Sequence, residues 1–289
     1  MLLLLATVLT IPLGLDLYMP VPEENPITPA EIELGRRLFH HRRLSRDQSI
    51  SCASCHDPER ASSDDRPVAV GVFGRRGNRN VPAIINRGYG RAFFWDGHVD
   101  NLEEQVVQPI LNPKEMDLTL EEASDRVGLV PEEIANALAT YVRGILPGGS
   151  PFDRFVNGDR GALTAEEQLG MKVFREKGNC HAGPNFTDEK LHNTGVAWRE
   201  GGRGARLADT GGGRGDFKTP TLREVARTGP YMHDGSLQTL EDVIDFYSDG
   251  GRKNPYLDPE LRPIKLTDDE KTALLAFLQS LTGKVSDGR

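Results

Sequence analysis

Apolar residues recur along this chain at helical rather than alternating spacing. From about Pro131 to Leu146, Ile134, Leu138, Tyr141, Val142 and Ile145 share one face, which predicts an amphipathic helix. Leu274, Leu278 and Leu281 form a second such face after Thr267-Asp268-Asp269-Glu270, a capping box. Leu240, Val243, Ile244 and Tyr247 form a third, at i, i+3, i+4 and i+7 behind Thr239, so Tyr247 is expected to point inward. No stretch shows clear period-2 alternation. The fold class read from this pattern is mainly α.

The helix starts come in repeated form. Thr28-Pro29-Ala30-Glu31 has Thr at the N-cap, Pro in the first turn and Glu at the third position, and Gly35 and Phe39 follow. Thr164-Ala165-Glu166-Glu167 repeats the box, and Gly170 and Phe174 repeat the Gly-x-x-x-Phe spacing. Each of these helices leads toward a Cys-His pair, Cys55-His56 or Cys180-His181, and each half closes with an amphipathic helix. Pro147-Gly148-Gly149-Ser150-Pro151 reads as a linker. The expected organisation is an apolar leader over 1–19 and two helical domains of similar plan, 24–150 and 151–285, related by duplication.

Composition narrows the function. With 289 residues, the chain is about twice the usual domain size. Its 37% hydrophobic and 27% charged residues exclude a disordered chain. A formal net charge of -8 excludes general nucleic-acid binding, and three cysteines are too few for a disulfide scaffold. Met1 to Leu15 carries no charge and is too short to span a bilayer, which takes about 20 residues. It fits the apolar part of a secretory signal, although no Lys or Arg precedes it; the alternative is a buried amino-terminal element. Export to the periplasm is expected, with the leader removed or kept as a tether.

Residues 52–56 read C-A-S-C-H, the c-type haem attachment pattern. Two thiols three positions apart, Cys52 and Cys55, can each reach a haem vinyl group, and His56 can then ligate the iron. Half a zinc site would need further Cys or His nearby, and the segment that follows offers none. A redox dithiol would sit in a βαβ setting, which the pattern lacks. In the second half Cys180-His181 look like the last two residues of the same motif, but Lys177 stands where its first Cys belongs.

At this point the chain resembles a known family, the bacterial dihaem cytochrome c peroxidases, and especially their MauG-like branch. The blocks that carry the resemblance are L-S-R-D-Q-S-I-S-C-A-S-C-H (44–56), F-F-W-D-G (93–97), L-E-E-Q-V-V-Q-P-I-L-N-P-K-E-M (102–116), C-H-A-G-P-N-F-T-D (180–188) and K-T-P-T-L-R-E-V-A-R-T-G-P-Y-M-H-D-G (218–235). The resemblance implies two cytochrome c-like helical domains, each built around a c-type haem. It makes His56 the proximal ligand of a peroxide-reactive haem, with Gln105, Pro109 and Glu115 in the distal pocket and Glu115 as the proton-moving acid. Where many members block that haem with a His, this chain has Val72, so the resemblance implies an open iron. It implies His181 and Tyr247 as ligands of a second iron, Tyr247 standing fourteen residues after His233. It places Trp95 between the haems and calcium at Asn80, Thr228 and Pro230. A phenolate ligand favours ferric iron, which suits a haem that holds oxidising equivalents. His40, His41, His98, His192 and His233 are expected to be surface or structural, with His233 beside a haem propionate or the backbone.

Three functions remain open at this stage. One is a peroxidase that takes electrons from a small donor protein such as a cytochrome c or cupredoxin and reduces hydrogen peroxide. Another is a MauG-like enzyme that uses peroxide to oxidise residues of a protein substrate. The last is an electron-carrier cytochrome with two saturated irons, against which Val72 and Glu115 argue.

Overall fold

The structure, a computed structural model, describes residues 9–178, 180–199 and 206–287. Residues 1–8 of the apolar leader lie outside that set. Leu9 packs on the first core, Leu15 is buried, and Gly149 N donates to Leu13 O at 2.9 Å, so the segment behind the leader lies along the body. No helix among the described residues is long and apolar enough to cross a membrane.

The first half contains α1 (Pro29–Phe39), α2 (Leu102–Leu111), α3 (Leu120–Val127) and α4 (Pro131–Arg143); the second contains α5 (Pro151–Val156), α6 (Ala165–Lys177), α7 (Leu240–Ser248) and α8 (Asp268–Gln279). The expected caps are made. Thr28 Oγ1 accepts from Glu31 N at 3.1 Å, and Thr164, Thr239 and Thr267 each close a reciprocal box with the third residue of their helix. Each box satisfies two backbone donors that the helix cannot bond itself.

The duplication is visible in how the helices cross. A Cβ placed on Gly35 of α1 would lie 1.9 Å from Ala137 O of α4, and one placed on Gly170 of α6 would lie 1.8 Å from Ala273 O of α8. Only glycine lets either pair of backbones approach so closely. One turn further on, Phe39 meets Tyr141 with ring centroids 5.1 Å apart, and Phe174 meets Phe277 at 5.2 Å. Around these crossings lie two cores, one including Ile32, Leu38, Ile134 and Leu138, the other Val173, Ile244, Phe277 and Leu281.

The linker differs from expectation. α4 stops at Arg143, and Ile145–Gly148 form β1, paired antiparallel with β6 (Lys284–Asp287), while Ser150 caps α5. Among the described residues the other strands are β2 (Leu191–His192), β3 (Trp198–Arg199), β4 (Arg206–Leu207) and β5 (Phe217–Lys218), two residues each. Segments this short have no room for an alternating pattern, which is why the sequence shows none.

Candidate functional site

A cavity of about 1160 Å³ runs through the molecule and is lined by both Cys-His pairs. Its volume exceeds the usual range for one small ligand, roughly 300–1,000 Å³. At one end stand Cys55 and His56, with Gln105, Pro109 and Glu115; at the other stand Cys180, His181 and Tyr247. Trp95, Asn80, Thr228, Pro230 and His233 line the wall as well. A smaller cavity of about 60 Å³ adjoins the first end and brings Cys52 against Gln105, Pro109 and Glu115. The structure thus gathers every site residue expected from the sequence onto one connected surface.

Each histidine is oriented by its own backbone. His56 Nδ1 lies 3.0 Å from Ser62 O, and His181 Nδ1 lies 3.0 Å from Phe186 O. A carbonyl only accepts, so Nδ1 carries the proton in each ring and Nε2 is the nitrogen that can ligate; at His181 the Pro220 carbonyl also lies within reach of the ring. Burial lowers the pKa of both rings, which keeps them neutral and able to bind metal. Burial also pushes the thiols up, Cys52 to about 12 and Cys55 and Cys180 to about 11, so all three are neutral thiols. At the second site the first thiol is missing: Lys177 lines the cavity and pairs with Glu270 at 3.1 Å. Cys180 instead shares its surroundings with Asp188 and His192, whose ligand atoms lie within 4.8 Å of one another and of the sulfur.

Glu115 follows α2 in a loop held from two sides. Asn112 Nδ2 donates to Glu115 Oε1 at 2.7 Å, and Val72 N donates to Glu115 O at 2.8 Å. A Cβ on Gly71 would lie 2.5 Å from Glu115 O, so glycine is what lets that loop press on the acid's backbone. Burial raises the carboxyl pKa, against the Asn112 hydrogen bond. Val72, the position matched to a blocking His, is fully buried and does not line the cavity; Ala69 of the same loop does.

Tyr247 lies on α7 and lines the cavity as its helical spacing predicts. Among the described residues its hydroxyl has no hydrogen-bond partner, unlike Tyr231, whose hydroxyl donates to Val225 O at 2.9 Å. Burial, reinforced by the Cys180 thiol, pushes the Tyr247 phenol up to about 12. Trp95 Nε1 donates to Asn80 O at 2.9 Å, which fixes the indole in the cavity wall.

The duplicated plan extends through this wall. Phe93 bridges Val99 around Gly97, and Tyr231 bridges Leu237 around Gly235, with Phe94 and Met232 both at positive φ. Asn80, Ile85, Trp95, Leu102 and Pro109 therefore stand where Lys218, Arg223, His233, Leu240 and Tyr247 stand in the second half. The halves interlock reciprocally: Asn80 N donates to His233 O, and Lys218 N donates to Trp95 O, each at 2.7 Å. Arg79 adds a fork to Asp209 at 2.8 and 2.9 Å and a bond to Asp96 at 2.7 Å.

Of the histidines expected to be surface or structural, two are structural. His233 is buried and stacks on Phe217 with centroids 3.7 Å apart. His192 is held between Asp258 at 2.6 Å and Asp188 at 2.9 Å, and these carboxylates raise its pKa against the burial that lowers it. His98, exposed at the cavity rim, bonds Asp96 at 2.5 Å. Lys218 and Arg87, which line the cavity, and Glu189 behind them form a largely buried charged cluster that no local pattern announces. The one signal for Lys218 is its place before T-P-T-L, matching Asn80 before V-P-A-I.

The cavity fits haem by volume, by the two Cys-His pairs that line it and by the Tyr247 phenol, which has no partner among the described residues. The di-haem cytochrome c peroxidase family model matches residues 29–161. The methylamine utilization protein MauG of Methylorubrum extorquens is 38% identical over 91% of this chain and 81% of its own length. The cytochrome-c peroxidase IdrP2 of Denitromonas iodatirespirans is 34% identical over 91% of this chain and 84% of its own. Among solved structures, a MauG-like protein associated with microbial copper homeostasis matches with a TM-score of 0.84 and 32% identity, covering 93% of this chain and 95% of that one.

Proposed function

This chain belongs to the di-haem cytochrome c peroxidase family, and on that premise we propose that it is an exported peroxidase that reacts with hydrogen peroxide beside Glu115 and passes oxidising equivalents through Trp95 to a second haem. The observation that carries this reading is a half-buried acid, Glu115, held by Asn112 in the cavity that His56 lines. Cys52, Cys55 and His56 would hold the first haem. His181 and Tyr247 would hold the second, with Cys180 as its single thioether anchor. When bound, the haems would supply iron that gives electrons to peroxide and recovers them from the donor or substrate.

The chain's own residues handle the protons and the positioning. Glu115, with its pKa raised by burial, moves a proton from one peroxide oxygen to the other, so that the second leaves as water. Gln105, one turn before Pro109 on α2, orients the peroxide, and Pro109 offers no donor or ligand atom on its side chain. Asn80 donates Nδ2 to Arg66 O at 3.0 Å, which leaves its Oδ1 for calcium, together with the carbonyls of Thr228 and Pro230. The half-buried Tyr247 phenol would hold an iron as a phenolate, its raised proton affinity offset there by the metal's charge. Covalent haem attachment outside the bacterial cytoplasm agrees with a periplasmic location.

Replacing Glu115 by Gln keeps the shape and removes the titrating group. We expect peroxide cleavage, followed by stopped flow, to slow by about 10²-fold or more. In the parent protein the rate should rise as pH climbs through the raised Glu115 pKa, because the ionised acid is the proton acceptor. An unchanged rate in the variant refutes the role. A second reading, oxidation of a protein substrate, is favoured by one observation, the unpartnered Tyr247 hydroxyl in place of a thioether ligand. A small donor protein and a protein substrate are separated by whether peroxide turnover requires added reduced donor or alters a partner's mass.

A further inference from the structure

We propose that Lys218, with Arg87 beside it, is the binding site for a carboxylate side chain of haem at the junction of the two halves. This rests on the di-haem reading above. The starting point is a charge imbalance. Arg87, Lys218 and Glu189 form a cluster whose side chains are 12%, 9% and 14% exposed. Within the cluster one carboxylate serves two cations; Asp188, engaged with His192, adds only a more distant negative charge to Lys218. Arg87 takes both of its oxygens, at 2.9 and 3.3 Å, and the Arg91 backbone N–H takes Oε2 again at 3.1 Å. Lys218 Nζ is left 3.5 Å from Oε1, with Thr219 O at 3.3 Å.

An ammonium has three donors, and among the described residues this one makes only that long bond to Thr219 besides its distant ion pair. The direction of the imbalance matters as much as its size. Arg87 and Lys218 line the large cavity, whereas Glu189 does not. The positive side of the cluster therefore faces the space and the negative side faces the protein. Buried cations are kept where they are paired, so the missing partner is an anion inside the cavity. Burial, and then Arg87, lowers the Lys218 ammonium to about 8, which agrees with unmet demand for negative charge.

Haem brings that anion. Its ring is apolar and suits the apolar walls, and its two carboxylates need cations or water. The position of Lys218 gives the contact a further consequence. Its backbone N–H donates to Trp95 O at 2.7 Å, so the residue that grips the carboxylate also holds the backbone of Trp95. It holds the register of Asn80 in the other half, which makes the calcium candidate and the carboxylate anchor counterparts in the duplicated wall.

The test uses the matured holoprotein. Haem is counted by pyridine haemochrome, the haem carboxylate bending bands are read by resonance Raman, and each midpoint potential is measured. In Lys218→Met we expect an unchanged haem count, a shifted bending band for one haem, and a lower potential for that haem, because a lost cation favours ferric iron. Lys218→Arg should restore both. Glu189→Gln frees Lys218 from its competing carboxylate and should move the band and the potential the opposite way. It decides the matter alone if Lys218→Met does not mature. Unchanged bands in whichever of Lys218→Met and Glu189→Gln matures, with full haem content, overturn the proposal. Parent protein matured without haem overturns the underlying reading and the anchor with it.

Discussion

The two halves share a backbone plan and differ at the positions that decide chemistry. Both cross their helices over a glycine, both hold a histidine by Nδ1, and both carry the same turn around a positive-φ residue and glycine. On that common frame Pro109 stands opposite Tyr247, Ile85 opposite Arg223, and Asn80 opposite Lys218. The first half puts a residue without donors at the place where the second puts a phenol with no partner. A duplicated fold can thus make one site open to a small substrate and the other closed by a protein ligand, through side chains alone.

The comparison extends to stability. Ile85 is fully buried in the first core, and its counterpart Arg223 is buried in an ion pair with Asp153 at 2.9 and 3.0 Å, both side chains nearly inaccessible. Arg223 also donates to Gly14 O at 2.6 Å and Pro184 O at 2.7 Å. Asp153→Ala leaves a buried guanidinium short of its counterion. We expect a loss of about 3–5 kcal/mol in denaturant unfolding, larger than any single truncation at Ile85 by a methyl group, about 0.5–1.5 kcal/mol for Ile→Val. Equal effects would mean that the two halves are held alike at this position.

Smaller effects sharpen the same contrast from its symmetric side. Gly35→Ala and Gly170→Ala each push a methyl into a facing carbonyl, at 1.9 and 1.8 Å in the present backbone. Both should destabilise by about 1–3 kcal/mol, and by similar amounts, because both crossings are built the same way. Thermal unfolding of the pair measures this. A large difference would show that one crossing tolerates separation and that the duplication is looser than the distances imply.

The helices behind Thr28, Thr164, Thr239 and Thr267 were legible because each is signalled locally, by a Thr, an acid three residues later and an apolar face. C-A-S-C-H was legible for the same reason. Glu115 was not legible as a cavity residue from local pattern, since Lys114 beside it suggests a solvated edge; the resemblance pointed to it, and the Asn112 bond and the Gly71 contact are what hold it there. Tyr247 was legible as an inward residue, but the absence of a partner for its hydroxyl is a property of the packed structure. Lys218, Arg87 and Glu189 were invisible: Arg87 and Glu189 lie 102 residues apart, and nothing in either neighbourhood announces the other. The short strands were missed because two residues cannot carry a period.

The central claim is that the two ends of the cavity differ in ligation, open beside Pro109 and closed by Tyr247. EPR of the resting oxidised holoprotein, with Tyr247→Phe measured beside it, tests this most directly. The account expects a high-spin signal from the first haem that Tyr247→Phe leaves in place, and a second, separate ferric signal that the substitution changes. Two saturated irons with no high-spin signal, or spectra identical with and without the Tyr247 hydroxyl, would contradict it.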